Sequence, residues 1–411
     1  MNAPTPTSPR VYALEPVDAW YFGDARPYHA GESAQADARS LFPPNNPTLV
    51  GALRAALARA NGWDGRSRWD SSKNQPLKLT DHLGFGYHEL GPLSFRGPFL
   101  QVSKAGEQLT LYPVPLHLLG KEEPHPDDPD KTTWKPHAFL APAEKPTLTD
   151  LGPVRLPDFA SSKSDDKKAE RGLKDGTDYW ITAQGLSQVL AQKLPDVSQI
   201  YHLSSLRSFE PRVGLIRDIE TRTTKTGALY SPTYVRLKQG VELLMAVDGL
   251  PNDWQSPEPL LPLGGESRLA GLRDAQFQAV ELSANTVEKI SSTGRLAITF
   301  LTPALLHDPD TTDAAQIAWP GPDESVPGLK DAGIENARVV SACLGKPIHI
   351  GGWDLIKKEP VPQSPYLPPG STYFLDIPAN QVSAETLQGL HHNRLGYRKG
   401  YGFGEVIISH W

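Results

Sequence analysis

The sequence predicts an α+β protein built as two domains in tandem, with a proline-rich polar insertion in the first. Three observations lead there. At 411 residues the chain exceeds what one ordinary hydrophobic core organises. Its amino end reads strand, helix, hairpin, and its second half reads as several short apolar strands closed by a short helix and a last strand. Together these orders predict two ferredoxin-like (RRM-like) halves: residues 1–240, with the insertion at about 121–178, and residues 241–411.

The elements follow in order. "VYALEPVDAWYF", Val11 to Phe22, is a strand rich in aromatic and branched residues. In the helix that follows, Asn46 is the expected cap, Pro47 sits where a missing N–H costs nothing, and Leu49, Val50, Leu53, Leu57 and Ala60 fall on one face before Gly62. "GPFLQVSKAGEQLTLYPVPLHLL" is a hairpin turning between Lys104 and Glu107. From Lys121 to Asp178 prolines and charges dominate, so this stretch is expected to have little core of its own. "YWITAQGLSQVLAQKL" resumes helical spacing. Strands are expected at Val241 to Val247, Arg295 to Leu306, Ala337 to Leu344, Pro347 to Trp353, Ser371 to Ile377 and Glu405 to Ser409, with a helix over "SAETLQGL".

Composition narrows the function. One cysteine, Cys343, excludes a disulfide framework and a multi-cysteine zinc site. No phosphate loop, metal-binding H-E-x-x-H helix or nucleophile elbow is present, so the expectation is a protein that is no enzyme and needs neither metal nor cofactor. His29, His391 and His392 are the residues through which a metal-independent ribonuclease would act. The opening "MNAPTPTSPR" lacks a signal-like apolar stretch and no run reaches a membrane span, which points to the cytoplasm and away from membranes.

A net charge of −6 argues against a surface coated for nucleic acid, so such a site must be local. Arg207 to Lys238 holds seven cations (Arg207, Arg212, Arg217, Arg222, Lys225, Arg236, Lys238) against three acids. Arginine prevails, and a planar guanidinium suits phosphate forks and base stacking. Arg212, Arg222, Tyr230 and Arg236 are expected on a hairpin or extended loop facing nucleic acid, for which "TRTTKTGALYSPTYVRLKQG" supplies β-branched residues and a central glycine; a merely solvated surface is the alternative. In "LGGESRLAG", Gly264 and Gly265 offer N–H donors and Arg268 a fork; an internal Glu266–Arg268 pair is the alternative. "GDARPYHAGESAQADARSLF" supplies Arg26, His29 and Arg39 in a polar setting; Arg26 and Arg39 are expected to contact RNA phosphates or a partner subunit, and otherwise pair with Asp24, Glu32 and Asp37.

The terminal "RKGYGFGEVIISHW" sets Arg398 and Lys399 ahead of Gly400, Tyr401, Gly402, Phe403 and Gly404. Lys399 to Phe403 matches the first five positions of the RRM motif K/R-G-F/Y-G/A-F-V-x-F/Y, then departs at Gly404 and Val406. The expected chemistry is cations on phosphate, aromatics on bases, and glycines that let the backbone approach RNA. A tight turn with no ligand is the alternative.

The amino end carries a resemblance. "LEPVDAWYFGDARPYHAGE" followed by "SLFPPNNPTLVGALRAAL", with Phe42-Pro43-Pro44 and the P-[ST]-x-x-G-A-L-R run Pro47 to Arg54, resembles the opening of CRISPR RAMP proteins, specifically the third Cmr subunit of the type III-B effector complex. "RVGL" at Arg212, "GALY" at Gly227, "GGESR" at Gly264, "GGW" at Gly351 and the terminal glycine loop extend it, and it lapses over Lys121 to Asp178. The resemblance implies a non-catalytic RNA-binding subunit that holds the repeat-derived 5′ handle of CRISPR RNA. It also implies as partners a large polymerase-like subunit and backbone RAMP subunits. A repeat-processing endoribonuclease and a protein-only adaptor are the alternatives; cleavage of repeat RNA in chelator separates the first, and crosslinking in the assembled complex the second.

Overall fold

The computed structural model describes residues 8–23, 39–66, 79–125, 128–150, 152–160, 172–311, 313, 317–354, 356–379 and 382–411, with backbone alone at 125, 128–131, 216 and 224–230. It is a mixed α/β structure made mostly of strands. Two compact units interleave along the chain: 1–108, 204–277 and 349–363 form one, and 109–203, 278–348 and 364–411 the other. The expected division at residue 241 is therefore corrected. Val241–Asp248, buried along nearly its whole length, pairs with Ser94–Lys104 on one side and Arg10–Pro16 on the other, which ties it to the amino-terminal elements.

In the first unit the antiparallel order is Ser94–Lys104, Val241–Asp248, Arg10–Pro16, Leu269–Asp274 and Leu260–Pro262. The helix Asn46–Ala60 packs on it through Leu49, Val50, Leu53 and Leu57, all fully buried. The capping expected of Asn46 is corrected: Asn45 is the cap, without a side-chain bond, while the buried Asn46 amide donates to the Gly97 carbonyl at 2.7 Å. Its side chain satisfies a strand carbonyl in place of a helix N–H. The hairpin turn falls at Ala105 and Gly106, both at positive φ, between Ser94–Lys104 and Glu107–Pro113.

The second unit holds the antiparallel order Arg338–Cys343, Thr372–Asp376, Arg295–Phe300 and Val406–His410. Period-two alternation gives this sheet two covered faces. Leu296, Ile298 and Phe300 pack with Val287, Ile290, Leu387 and Leu390 of the helices Ala284–Thr293 and Ala384–Leu390, while Ala297, Phe374, Cys343 and Trp411 form a smaller cluster on the other face. Burial pushes the Cys343 thiol up to about 12, so it packs as a small apolar group. The stretch expected to be wholly helical begins as a strand, Tyr179–Thr182, and Thr182 then caps the helix Ala183–Leu190 by accepting from Gly185 N–H.

The region 121–178 departs from expectation. Leu118–His125 and Asp128–Pro142 form a long antiparallel ladder, and Trp134, cross-strand from Glu122, is 2% exposed and stacks on Tyr179 at 5.2 Å. A Cβ on Gly120 would strike the Trp134 ring. Trp134, seated on Gly120 and Tyr179, gives the region a buried aromatic that composition concealed.

His117 is buried in the second unit between Phe139 and Phe374, with Nδ1 3.0 Å from the Thr372 hydroxyl. Burial lowers its pKa from 6.5 to about 4. The unfolded chain then takes up a proton near pH 6.5 that the folded chain refuses until about pH 4. Stability is whole above pH 6.5 and falls as pH drops through that window, by about 3 kcal/mol at most. His117→Gln is expected to flatten the difference between unfolding midpoints at pH 7 and pH 4.5; an equal acid loss in the variant would assign it to other groups.

Candidate nucleic-acid interface

Two groups of cations stand out, one in each unit. In the first unit, the segment before Trp20 lies beside Thr233–Leu237, since Trp20 and Val235 exchange both backbone hydrogen bonds at 2.8 Å. Thr233–Leu237 pairs in turn with Arg207–Pro211, setting Glu210 opposite Tyr234 and Ser208 opposite Arg236. A third segment, the tight turn Leu263 to Arg268, closes with Leu263 N–H on Arg268 O and Gly265 N–H on Tyr21 O. Glu266 and Ser267 occupy the left-handed region.

These segments converge on Asp18. Its Oδ2 accepts from Arg212 at 2.8 Å and lies 3.4 Å from Arg268, while Oδ1 accepts from Arg236 at 2.6 Å. Glu210 bridges Arg212 and Arg236 at 2.6 and 2.7 Å. The Tyr234 ring lies under two of the guanidiniums, 4.9 Å from Arg212 and 4.4 Å from Arg268. Hydrogen bonds from Arg212 and then Arg236 hold Asp18 below the usual carboxylate range; for Glu210 the order is Arg236, then Arg212. Three guanidiniums face two carboxylates, which leaves one positive charge on a partly exposed surface.

The expected residues of this region are thus only partly gathered. Arg212, Arg236 and Arg268 come together, and Arg268 pairs with Asp18 where Glu266 was the expected alternative. Arg222 stands apart, exposed and left-handed in the turn between Gly214–Arg217 and Thr224–Tyr230, its carbonyl accepting from Arg217 at 3.2 and 3.3 Å. Tyr230 ends that second strand, and its side chain is outside the described residues. The proposed N–H pair is corrected at Gly265, whose N–H is spent on Tyr21; a Cβ on Gly264 would come within 2.6 Å of the same carbonyl. Both glycines serve close approach to Tyr21. Arg26 and His29 lie outside the described residues. Arg39 is exposed beside Ser40, which bridges Gly23.

In the second unit, Arg398 is left-handed at φ 54° and opens a 3-10 turn, Lys399–Tyr401. Its guanidinium reaches the Tyr366 hydroxyl at 3.4 Å, and Arg394 donates to Lys399 O at 3.3 Å. Lys399 is exposed and Arg398 half-buried. Burial, then the charge of Arg398, lowers the pKa of His307, whose Nδ1 has no hydrogen-bond partner among the described residues. The aromatic expectation is corrected. Phe403 is fully buried, packed 4.7 Å from Tyr366, and Tyr401 is 6% exposed. Tyr397, at 39%, is the ring this loop shows to solvent, a residue the sequence reading passed over. Gly402 and Gly404 donate inward, to Lys399 O and Pro303 O, both at 2.9 Å. Gly400, half-buried, lies inside the turn.

The paired histidines are occupied structurally. His391 Nε2 meets Val280 O and His392 Nδ1 meets the buried Glu405, both at 2.8 Å. Among the described residues no helix is long and apolar enough to cross a membrane.

From residue 12 to residue 411 the sequence matches the family described as CRISPR-associated protein (Cas_Cmr3). The chain belongs to the Cas_Cmr3 family. That membership bears out the resemblance to a Cmr subunit of type III-B. No curated protein matches the chain. Among solved structures it is similar to a chain of the type III-B Cmr-beta bound to cognate target RNA, 16% identical over 89% of this chain and 86% of that one, with a TM-score of 0.44. The same complex with target RNA and AMPPnP gives 16% over the same shares, TM-score 0.41. A chain of the Csm3-Csm4 subcomplex of the type III-A interference complex is 13% identical over 90% and 93%, TM-score 0.31. In the first unit, sequence reasoning missed Asp18, because its three partners lie 194, 218 and 250 positions away.

Proposed function

We propose that this Cas_Cmr3 chain is a non-catalytic, cytoplasmic RNA-binding subunit of a type III-B effector complex. It holds the repeat-derived 5′ handle of CRISPR RNA, with the large subunit and backbone RAMP subunits as neighbours. The observation that carries the reading is the convergence of Arg212, Arg236 and Arg268 from three separate segments, two of them stacked on Tyr234. Fork-shaped cations on an aromatic floor suit a phosphate strand and its bases, and such a role needs no nucleophile. Arg398, Lys399 and Tyr397 form a second, smaller contact of the same chemistry; Arg26, His29, Arg39, Arg222 and Tyr230 are further candidate RNA contacts read from the sequence. The strand orders support two ferredoxin-like halves: with the short edge strand Leu260–Pro262 set aside, four strands in each unit pair as fourth, first, third, second by chain position, all antiparallel.

The test is RNA retention. Tagged protein recovered from its host is expected to carry short RNAs with one common 5′ end. Alanine at Arg212, Arg236 and Arg268 together should strip that RNA and lower the salt slope of binding by about one unit for each phosphate the arginines no longer neutralise. Parent affinity with an unchanged slope would remove the cluster from the interface. Cleavage of repeat RNA in chelator would instead make the chain an endoribonuclease, and absence of RNA crosslinks in the assembled complex would make it an adaptor.

A further inference from the structure

We propose that Asp18 is a built-in competitor of RNA: its carboxylate sits where a phosphodiester must sit to use Arg212, Arg236 and Arg268, and so sets how strongly this surface takes up polyanions. The inference rests on the RNA-binding reading of the cluster and adds a residue that tunes it.

The geometry is that of an anion seat already filled. Both Asp18 oxygens are engaged, by guanidiniums from three segments that share no other carboxylate in common among the described residues. Glu210 also holds Arg212 and Arg236. For Arg268, Asp18 is the carboxylate within ion-pair reach among the described residues, and the buried Arg268 Nε has no partner among them.

The seat is also exchangeable. The Asp18 side chain is 44% exposed and follows Val17, itself 63% exposed, in a bend at the end of a strand. Its exposure leaves each pair screened by water, so a polyanion that supplies the same guanidiniums with a phosphate can displace the carboxylate at a modest net cost. The arginines would not collapse once it swings away. Glu210 keeps two of them, and the Tyr234 ring supports Arg212 and Arg268 whatever anion sits between them.

A selectivity follows. A phosphodiester replacing Asp18 exchanges one negative charge for another, and the displaced carboxylate remains nearby to repel it. A lone phosphate therefore gains little here. A strand anchored at further contacts supplies its phosphate at high effective concentration and takes the seat. Asp18 thus disfavours loosely held polyanions.

Anisotropy of a short fluorescein-labelled single-stranded RNA, titrated with the full-length protein across a salt series, tests this. Asp18→Asn, which keeps size and one acceptor, is expected to bind on the order of fourfold tighter at low salt, from removal of a unit charge a few ångströms from the phosphate, with a steeper salt dependence. Arg268→Ala added to it should erase most of the gain. Asp18→Ser is the second variant, so that loss of fold in one leaves the other. A variant with the parent's melting temperature and equal or weaker RNA affinity overturns the inference. If the triple arginine variant also binds like the parent, the RNA-binding reading falls with it; if the triple variant loses binding while Asp18→Asn is unchanged, only the role of Asp18 falls.

Discussion

Replacing Arg54 with leucine is expected to destabilise the first unit by about 3–5 kcal/mol, a drop of roughly 6–20 °C in melting temperature for a domain of this size. Arg54 belongs to the helix Asn46–Ala60 and is 5% exposed, yet it points at backbone. Its Nε and one terminal nitrogen donate to Leu83 O at 2.9 and 2.6 Å, the other terminal nitrogen to Gly86 O at 2.9 Å, and the first again to Glu89 O at 3.0 Å. One guanidinium therefore fixes the path from Leu83 to Glu89, where Gly84 and Gly86 both take positive φ. Leucine would strip the donor from three carbonyls, the buried one of Leu83 at about 1–3 kcal/mol before relaxation and the partly buried ones of Gly86 and Glu89 at less. Lysine keeps the charge but lacks the fork, so Arg54→Lys should recover only a small part of the loss. A lysine variant as stable as the parent would show that charge, and not the planar donor array, holds the loop. RNA affinity of the folded fraction should be unchanged in both variants, because the guanidinium donates to backbone carbonyls.

This arginine shows what a sequence reveals and what it hides. The run ending at Arg54 is recognisable as a family motif and as one face of a helix, because apolar spacing and a proline at the start are local signals. The target of its last side chain is not, since the acceptors lie about 30 positions away and are backbone atoms without chemical identity in sequence. Other elements divide the same way. Val241–Asp248, Arg295–Phe300 and Thr372–Asp376 are legible because buried strands read as apolar runs. The helix Ala284–Thr293 escapes notice because "ANTVEKISST" buries little beyond Thr286, Val287 and Ile290. Its boundary signals are nonetheless present: Ser283 accepts from Thr286 N–H, and Gly294 closes the end at φ 70°. The polar composition of 121–178 is plain in the sequence but its ladder is not, since the burial of Trp134 depends on its fit onto Gly120 and Tyr179. At the interface, cation-rich stretches locate the arginines, whereas pairing set by distant strands decides which of them meet.

The terminal loop gives the second large effect, and it separates two roles that sequence alone merges. Gly404→Ala is expected to destabilise the second unit by about 3 kcal/mol or more. Gly404 is at φ 76°, where an L side chain is strained by about 1–2 kcal/mol, and a Cβ there would collide with the Leu395 carbonyl. That contact cannot relax easily. Leu395 N–H donates to Gly404 O at 2.9 Å and Gly404 N–H to Pro303 O at 2.9 Å, so three backbone segments are fixed at one point. Gly402, buried at φ 86° with its N–H on Lys399 O, should behave likewise when changed to valine. The expectation that these glycines keep the backbone open to RNA is thus replaced by a packing role: they let the chain turn tightly enough for Phe403 to bury and for Val406–His410 to enter the sheet. Arg398 and Lys399 are a different case. Lys399 is exposed, and the Arg398 contact to Tyr366 is long, so alanine at both should shift stability by about 0.5 kcal/mol or less. The same pair should weaken RNA binding chiefly at low salt, where exposed charge counts most. Melting temperature and RNA affinity of the folded fraction, measured on both variants, are expected to dissociate: Gly404→Ala loses the first and keeps the second, and Arg398→Ala with Lys399→Ala does the reverse. A glycine variant that melts like the parent but binds RNA poorly would restore the loop backbone as a ligand surface, and a cation variant with parent affinity at low salt would remove this loop from the interface.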